Sequence, residues 1–445
     1  MADEAAARSI ASDPGKASAT LPSVSGARWA LALLLCMNML NYVDRQVLAA
    51  VEPQICRSLL GTGNADDPAV RAKMGLLASA FLVSYMAAAP LFGVLAQRWP
   101  RWKLIAIGVG VWSVATGASG LASTFAILLV TRCFVGVGEG AYGPIAPAIL
   151  SDLFPLRVRG RIMAWFYMAI PVGGALGYAL GGQVAHLDVA RESWRWAFYV
   201  VVIPGLLLTL WSLVLPEPPH GAAERISAPP RRASLRDYRI LLRTPSFLFD
   251  TLGMTAMTFA IGALAFWMSD YLEYRHVPDL WGMEPVTAFG VLTAVAGLVA
   301  TLAGGLAGDA LRSRFSGSYF LVSGIGLLLA APCCVALLVA PFPTAWLFVF
   351  ATVFFLFFNT GPTNTILANV THPSLRSAAF ALNILIIHIF GDVISPPLIG
   401  AVAGATSLSV GFAVVSLFML LGGIVWLWGA RHLAADTAAA PTRLG

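Results

Sequence analysis

The chain has 445 residues, of which 58% are hydrophobic and only 11% charged, with a formal net charge of +6. Soluble domains carry roughly 25% charged residues, so this balance excludes a water-soluble globular fold, disorder over most of the chain and a disulfide scaffold. Apolar stretches of about 20 residues recur, each long enough to cross a hydrocarbon core about 30 Å thick as a helix. The sequence therefore reads as an all-α polytopic membrane protein.

Residues 1–26, rich in Ala, Ser and Gly, read as a flexible cytoplasmic tail with no removable signal peptide. Twelve spans are predicted at 29–51, 74–96, 103–122, 125–150, 162–185, 196–215, 246–271, 286–307, 318–340, 343–369, 377–402 and 408–430. The first six make an N-terminal bundle over 27–215, the last six a C-terminal bundle over 246–430, and 431–445 reads as a second cytoplasmic tail. The one long polar break, 216–245, begins Pro216-Glu217-Pro218-Pro219 and holds Pro229, Pro230, Arg231 and Arg232. Within it, Ser234 and Asp237 have capping-box spacing ahead of Tyr238, Ile240, Leu241 and Leu242, which predicts a short amphipathic helix on the membrane surface. The five cysteines have no zinc-ligand spacing and are expected as free, mostly buried thiols.

Lysine and arginine set the orientation. With the N-terminus inside, 20 of the 28 fall on the inner side and 6 on the outer, while Arg45 and Arg132 lie within spans. Both termini are thus expected in the cytoplasm, in the inner (plasma) membrane. The halves also echo each other: Gly93 to Arg98 after span two and Gly305 to Arg312 after span eight are Gly-containing helix ends leading into basic turns. Repeated halves mark secondary transporters.

Charges inside spans are costly and usually functional. Asp44, Glu139 and Asp392 are the acidic residues well inside spans, joined by Arg45, Arg132 and His388, with Asp250 about a turn from the inner end of span seven. Span one carries Asn38, Asn41, Tyr42, Asp44 and Arg45. Asp44 and Arg132 are matched in depth, and Arg45 is long enough to reach inward towards Glu139, two turns below Arg132 on its face of span four. Protonatable Asp44 and Glu139 are the expected proton-coupling pair. Span eleven places His388 and Asp392 on one face, ahead of Pro396-Pro397, where the helix should bend. The stripe Gly173, Gly177, Gly181 and the pair Gly304, Gly308 suit close helix packing. Spans seven and ten display Met254, Met257, Phe259, Trp267, Phe354, Phe355, Phe357, Phe358, Asn359 and Asn364, several of which are candidates to line a cavity. Gly138 to Gly143 matches GxGxxG but lies mid-span and follows no strand, so it is no dinucleotide loop. No catalytic or nucleotide-binding motif is present, which argues against an enzyme or an ATP-driven pump and implies no cofactor, metal or nucleic acid.

Asn41 to Arg45, the Arg98–Lys103 turn and Pro216 to Pro219 resemble the major facilitator superfamily. Arg132-Cys-Phe-Val-Gly-Val-Gly-Glu139 with Ala146-Pro147 and Ser151 to Phe154, together with His388, Gly391 to Pro396 and Ile399-Gly400, resembles its Spinster family. The resemblance implies two six-helix bundles around a central cavity lined by spans one, four, seven and ten, working by alternating access. It implies export of lysolipid- or sphingolipid-like amphiphiles with proton coupling. The alternative is a carrier of small organic anions or sugar acids. Asn41, Tyr42, Arg45, Arg132, Asn359, Asn364, His388 and Asp392 are the expected substrate-binding or charge-switch residues, and Gln97, Arg98, Asp309 and Arg312 the expected gate. The expected partners are substrate, protons and membrane lipids, for a monomer. Gln97 stands where the superfamily turn usually carries Asp, which predicts a weaker N-half gate contact and a resting population biased towards inward-open.

Overall fold

The computed structural model describes residues 26–61, 68–185, 192–224 and 234–443. The expected N-terminal tail, the linker residues Arg225, Pro229, Pro230, Arg231 and Arg232, and Arg191 lie outside the described residues.

Twelve spans run in sequence. They are α1 (Ala27–Ala50), α2 (Pro68–Leu95), α3 (Arg101–Gly120), α4 (Phe125–Leu153), α5 (Arg159–Tyr167 and Ala169–Ala185) and α6 (Trp194–Val214) in the first half. In the second half are α7 (Pro245–Tyr274), α8 (Pro285–Leu311), α9 (Ser318–Val339), α10 (Ala345–Phe357 and Thr360–Val370), α11 (Arg376–Ile387, a π-helical turn at His388–Asp392, and Ser395–Ala405) and α12 (Leu408–Gly429). Among the described residues, 11 are long and apolar enough to cross a membrane on hydropathy alone. α1 is the twelfth. Its 24 residues are long enough, but Asn38, Asn41, Asp44 and Arg45 make it more polar.

The exterior is apolar, unlike that of a soluble protein, and several charges lie within an otherwise apolar core. Val83, Ile203, Leu207, Leu210, Leu347, Phe390 and Leu417 face outward, while Asp44, Arg132, Glu139, Asp152, Arg159 and Arg376 are buried. Lipid accepts the first set and excludes the second.

Three spans break, and each break has a proline four residues on from the carbonyl it obstructs. Pro171 opposes Tyr167 in α5, Pro362 opposes Phe358 in α10, and Pro396 and Pro397 oppose Asp392 and Val393 in α11. The Trp267 indole of α7 donates to the Pro396 carbonyl at 2.9 Å, tying the restarted α11 to its neighbour.

Within each half, α2 and α3 pack on α4, and α1 on α5, while α7 and α9 pack on α12. The Gly173, Gly177 and Gly181 stripe lies against α1, as expected of small packing residues. Between halves, α2 meets α11 and α8 meets α5. The repeat seen in the sequence marks these seams. A Cβ on Gly93 would strike Ala381 of α11, and one on Gly305 would strike Ala164 of α5. Only glycine lets the second helix of each half approach the fifth helix of the other so closely.

The linker leaves α6 and turns through Ala222–Glu224. It re-enters as the helix Leu235–Arg243, whose Ser234 and Asp237 form the reciprocal capping box. Beyond α12, Leu433–Ala439 forms a further short helix, and its Asp436 accepts the Ser246 N–H at the start of α7 at 2.8 Å. We call this side of the molecule the linker end.

The cysteines are all free. Cys56 and Cys334 are buried, but Cys36 is exposed and Cys133 and Cys333 half-buried, so burial is less general than expected.

Candidate transport site and linker-end gate

At mid-depth, α1 and α4 bring opposite charges together. Arg45 donates through Nε and Nη2 to Glu139 Oε2 at 2.8 and 2.5 Å. Glu139 is 1% exposed, whereas the Arg45 side chain keeps 25% of its surface. The inward reach expected of Arg45 is therefore realised. Its guanidinium lies over the rings of Tyr42, Phe81 and Tyr85, at 4.9–5.5 Å from their centroids. Such stacking favours a guanidinium over an ammonium.

Asp44 and Arg132 share a depth but form no ion pair. Asp44 accepts the Thr116 hydroxyl of α3 at 2.8 Å, and its other oxygen has no hydrogen-bond partner among the described residues. Arg132 is 2% exposed, its Nε and Nη1 have no partner there either, and its guanidinium lies 5.6 Å from the Phe81 ring. Phe81 thus serves two arginines, one of them ion-paired to Glu139. Asn41 is buried beside this cluster, next to Glu139.

α2 carries the site across to the other half. The Tyr85 ring packs edge-on against His388 of α11, centroids 5.6 Å apart. His388 Nδ1 meets Asp392 Oδ2 at 2.9 Å, one turn along. The pair occupies the π-helical turn, a geometry frequent at functional sites. Phe81 and Tyr85 were missed by a reading that confined the cavity to spans one, four, seven and ten. Their signal was present in the i, i+4 spacing of two aromatics on α2.

The remaining site candidates take mostly structural places. Asn359 is fully buried and donates to the Leu356 carbonyl at 2.9 Å, within the break of α10. Asn364 accepts the Tyr167 hydroxyl of α5 at 2.8 Å, which makes it a contact between halves. Met254, Met257 and Phe259 are buried in the core, and Phe259 stacks on Phe418 of α12 at 3.9 Å. Packing within the bundle claims these apolar residues of α7.

At the linker end the halves are locked together. Asp309 of α8 accepts the Gly160 and Arg161 backbone N–H groups at 3.1 and 2.9 Å, at the N-terminus of α5, and the Tyr319 hydroxyl at 2.7 Å. Carboxylates suit that position because the exposed N–H groups and the helix dipole are positive there. Arg312 does not pair with Asp309. It reaches past it to the Leu156 carbonyl of the first half at 2.5 Å. Gln97 is 1% exposed at the end of α2. Arg98 is exposed, with no side-chain partner among the described residues.

The strongest part of this lock lies elsewhere. Asp152 of α4 accepts Arg101 of α3 on one oxygen and Arg376 of α11 on the other, both at 2.5 Å, with the Gly221 N–H of the linker at 3.0 Å. Glu224 of the linker accepts Arg376 at 2.6 Å and Arg159 of α5 at 2.9 Å. Arg159 also donates to Asn369 of α10 at 2.6 Å, and Arg101 to Glu217 at 2.7 Å. Sequence reasoning had counted these arginines as loop charges, yet Arg101, Arg159 and Arg376 are 0–2% exposed. The available signal was Asp152 at the end of a span, an acid needing partners.

Two groups of this network sit outside the spans. Burial pushes the His220 imidazole down to about 4, helped by Arg101, so it is neutral at physiological pH. Burial works to raise the Glu224 carboxyl, but Arg376 and Arg159 together hold it below the usual carboxylate range.

The sequence matches the family model of the Major Facilitator Superfamily over residues 34–391. It is 33% identical to protein spinster homolog 3 of Danio rerio, in an alignment covering 96% of this chain and 90% of that protein. The chain belongs to the Spinster family of the major facilitator superfamily. Protein spinster homolog 1 of Homo sapiens is 36% identical over 84% of this chain and 72% of its own length. A bacterial homologue of the human lysosomal transporter Spinster, solved inward-facing and unoccupied, superposes with a TM-score of 0.59 at 21% identity, covering 95% of this chain and 99% of that one. The fold of this Spinster chain is that of the superfamily, two six-helix halves. The state seen is closed at the linker end, through contacts that the Gln97 comparison alone does not include.

Proposed function

We propose that this protein is a proton-coupled secondary transporter of a single-chain amphiphilic lipid, of the lysophospholipid or sphingoid type, working by alternating access. The observation that carries the reading is the Arg45–Glu139 pair. It joins a partly exposed cation to a fully buried carboxylate, within 6 Å of three aromatic rings. Protonating Glu139 removes the attraction and frees Arg45 for an anionic headgroup, and deprotonation recaptures it. Arg132, buried without a hydrogen-bonded anion among the described residues, offers a second positive charge, and Asp44 a second carboxylate. Asn41, Tyr42, His388 and Asp392 complete the polar ring, with the linker end taken as cytoplasmic and the protein in the plasma membrane as a monomer. The Spinster resemblance supports a lipid cargo.

The test is flux in proteoliposomes with a panel of lysolipids and small organic anions, with and without a proton gradient. Lysolipids should be carried, driven by the gradient. Affinity should rise with chain length by up to about 0.8 kcal/mol per buried methylene, roughly fourfold. Preferential transport of short hydrophilic acids or sugar acids would overturn the lipid reading, and gradient-independent flux the coupled one.

A further inference from the structure

The linker end of the second half shows one sign of charge to its surroundings. The helix Leu235–Arg243 exposes Arg236, Arg239 and Arg243. Spaced i, i+3 and i+7, they lie within an arc of about 60° on one face. The other face packs on the protein through Leu241 and Tyr238, with Asp237 turned back to cap Ser234. Arg431, two residues beyond α12, and Arg314, four residues before α9, are exposed as well. The acids of this region are buried or already engaged. Asp237, Asp250 and Asp436 are buried, Asp436 pairs with Arg443 at 2.7 Å, and Asp309 accepts Gly160, Arg161 and Tyr319. Among the described residues at this end of the second half, no exposed carboxylate offsets the five exposed arginines.

These arginines gather at one corner of the bundle. Phe249 of α7 stacks on His432, ring centroids 5.7 Å apart. Gly429 of α12 sits between α7 and α9, where a Cβ would stand 2.9 Å from Phe249 Cβ and 2.7 Å from Phe320 Cε1. Gly317, just before α9, lies as close to Ala430, whose carbonyl oxygen a Cβ would meet at 2.5 Å. The span ends that carry Arg243, Arg314 and Arg431 are therefore packed side by side. Leu242, Leu248, Phe315 and Trp428 are exposed among them, and the Arg431 guanidinium lies 6.0 Å from the Trp428 ring centroid. Aromatic rings exposed at span ends sit at the level of lipid headgroups, and arginines a few residues further on share that level.

We propose that this corner is a binding surface for anionic phospholipids of the surrounding leaflet. A guanidinium can donate two parallel hydrogen bonds to one phosphate, and exposed arginines without a protein counter-ion are free to do so. A basic amphipathic helix next to a span is the arrangement that attracts anionic headgroups. The apolar side chains between the arginines would lie against the upper part of the acyl chains, which a soluble anion would leave uncovered. The occupant is thus a two-chain membrane lipid and not the cargo. The surface is on the exterior of the second half and shares no residue with the Arg45–Glu139 cluster of the first. It rests on the membrane-spanning fold alone, and neither on the identity of the cargo nor on proton coupling.

The test is native mass spectrometry of the full-length protein in detergent, with phosphatidylglycerol and phosphatidylcholine of identical chains as the two probes. The wild type should retain phosphatidylglycerol in preference. Each arginine near a charged leaflet strengthens attraction roughly fivefold, so a variant carrying Arg236→Gln, Arg239→Gln and Arg243→Gln together should lose about tenfold or more of that preference. The same three positions changed to lysine keep the charge and should keep the preference, which separates loss of charge from loss of fold. Glycerol 3-phosphate, a phosphate without chains, should not displace the lipid. Equal retention of both lipids by the wild type overturns the proposal. So does an unchanged preference in the glutamine variant, its loss in the lysine variant, or displacement by glycerol 3-phosphate at the lipid's own concentration. Should the glutamine variant fail to fold, the wild type in rising ammonium acetate still decides. Salt screens exposed charges, so a preference that salt leaves unchanged is not carried by these arginines and overturns the proposal as well. No readout uses transport, so failure of lysolipid flux would refute the cargo and not this surface.

Discussion

Arg376 of α11 donates to Asp152 of α4 at 2.5 Å, a buried ion pair that crosses the boundary between the two halves. Asp152 has Arg101 on its other oxygen, so the link is strongest when all three side chains are present. Its second donor comes from a part of the chain 224 residues away in sequence.

Arg376→Ala should favour opening at the linker end. Truncating one partner of a buried charged pair costs about 2–5 kcal/mol. Arg101 still compensates Asp152 and Arg159 still compensates Glu224, so the lower figure applies. About 2 kcal/mol changes a two-state ratio roughly thirtyfold. Distances between spin labels at Lys103 and Ser313 should move to a longer population, and a distribution like the wild type's would show that the ion pair does not hold the gate.

Linker docking should weaken with acid. His220 titrates at about 4 when docked, against its ordinary value of 6.5 when released. The released state therefore binds more protons between these values, and docking is lost as pH falls through that window. Glu224, depressed below 4.5, adds a further loss at lower pH, once it protonates. Hydrogen exchange across residues 217–224 should rise below about pH 6.5 in the wild type. In His220→Ala the rise should move down to the carboxylate range. An identical pH profile in that variant would remove His220 from the account.

Glu139→Gln and, separately, Asp44→Asn should fold but lose gradient-driven accumulation, while exchange of substrate across the membrane persists. Both replacements keep shape and remove titration. Arg45→Ala is more damaging, because it strips Glu139 of its partner, and breaking a buried pair costs about 3–5 kcal/mol. Arg132→Ala should weaken substrate binding with less loss of stability, since it breaks no hydrogen bond seen here. Normal pH-dependent uptake in both carboxyl variants would leave the cluster as a structural clamp.

Asp309→Asn should weaken the cap on α5, by about 1 kcal/mol, and shift the gate several-fold towards opening. Gln97→Asp, at the corresponding helix end of the first half, should shift it towards closing. The same pair of labels reports both. A shift in Asp309→Asn with none in Gln97→Asp would show that the two ends are not functionally equivalent.

Much of this protein was legible one residue at a time. Chain segments in lipid must satisfy their own backbone, so apolar runs of about 20 residues specify helices. The prolines at 171, 362 and 396–397 were visible, and the breaks follow from them locally. Arg45 and Glu139 stood out because charge within a span needs an explanation, and the reach of an arginine side chain made the pair foreseeable. The gate was not legible in the same way. Arg101, Arg159 and Arg376 sit at span ends, where arginine is ordinarily solvated and reports only orientation. Whether such a residue faces water or an acid depends on which helix of the other half lies opposite, and nothing local specifies that. The same holds for Phe81 and Tyr85, whose ring faces became part of the site only because α2 runs beside both α4 and α11. Asp250 is the converse case. Its sequence position marked a carboxylate near a membrane edge, where water would solvate it, and only packing by α10, α11 and α12 removed that water. The sequence alone determined the spans, their breaks and the central charges, because those depend on local hydration and backbone geometry. The tertiary structure decided which charges are compensated, because that depends on contacts between segments distant in the chain.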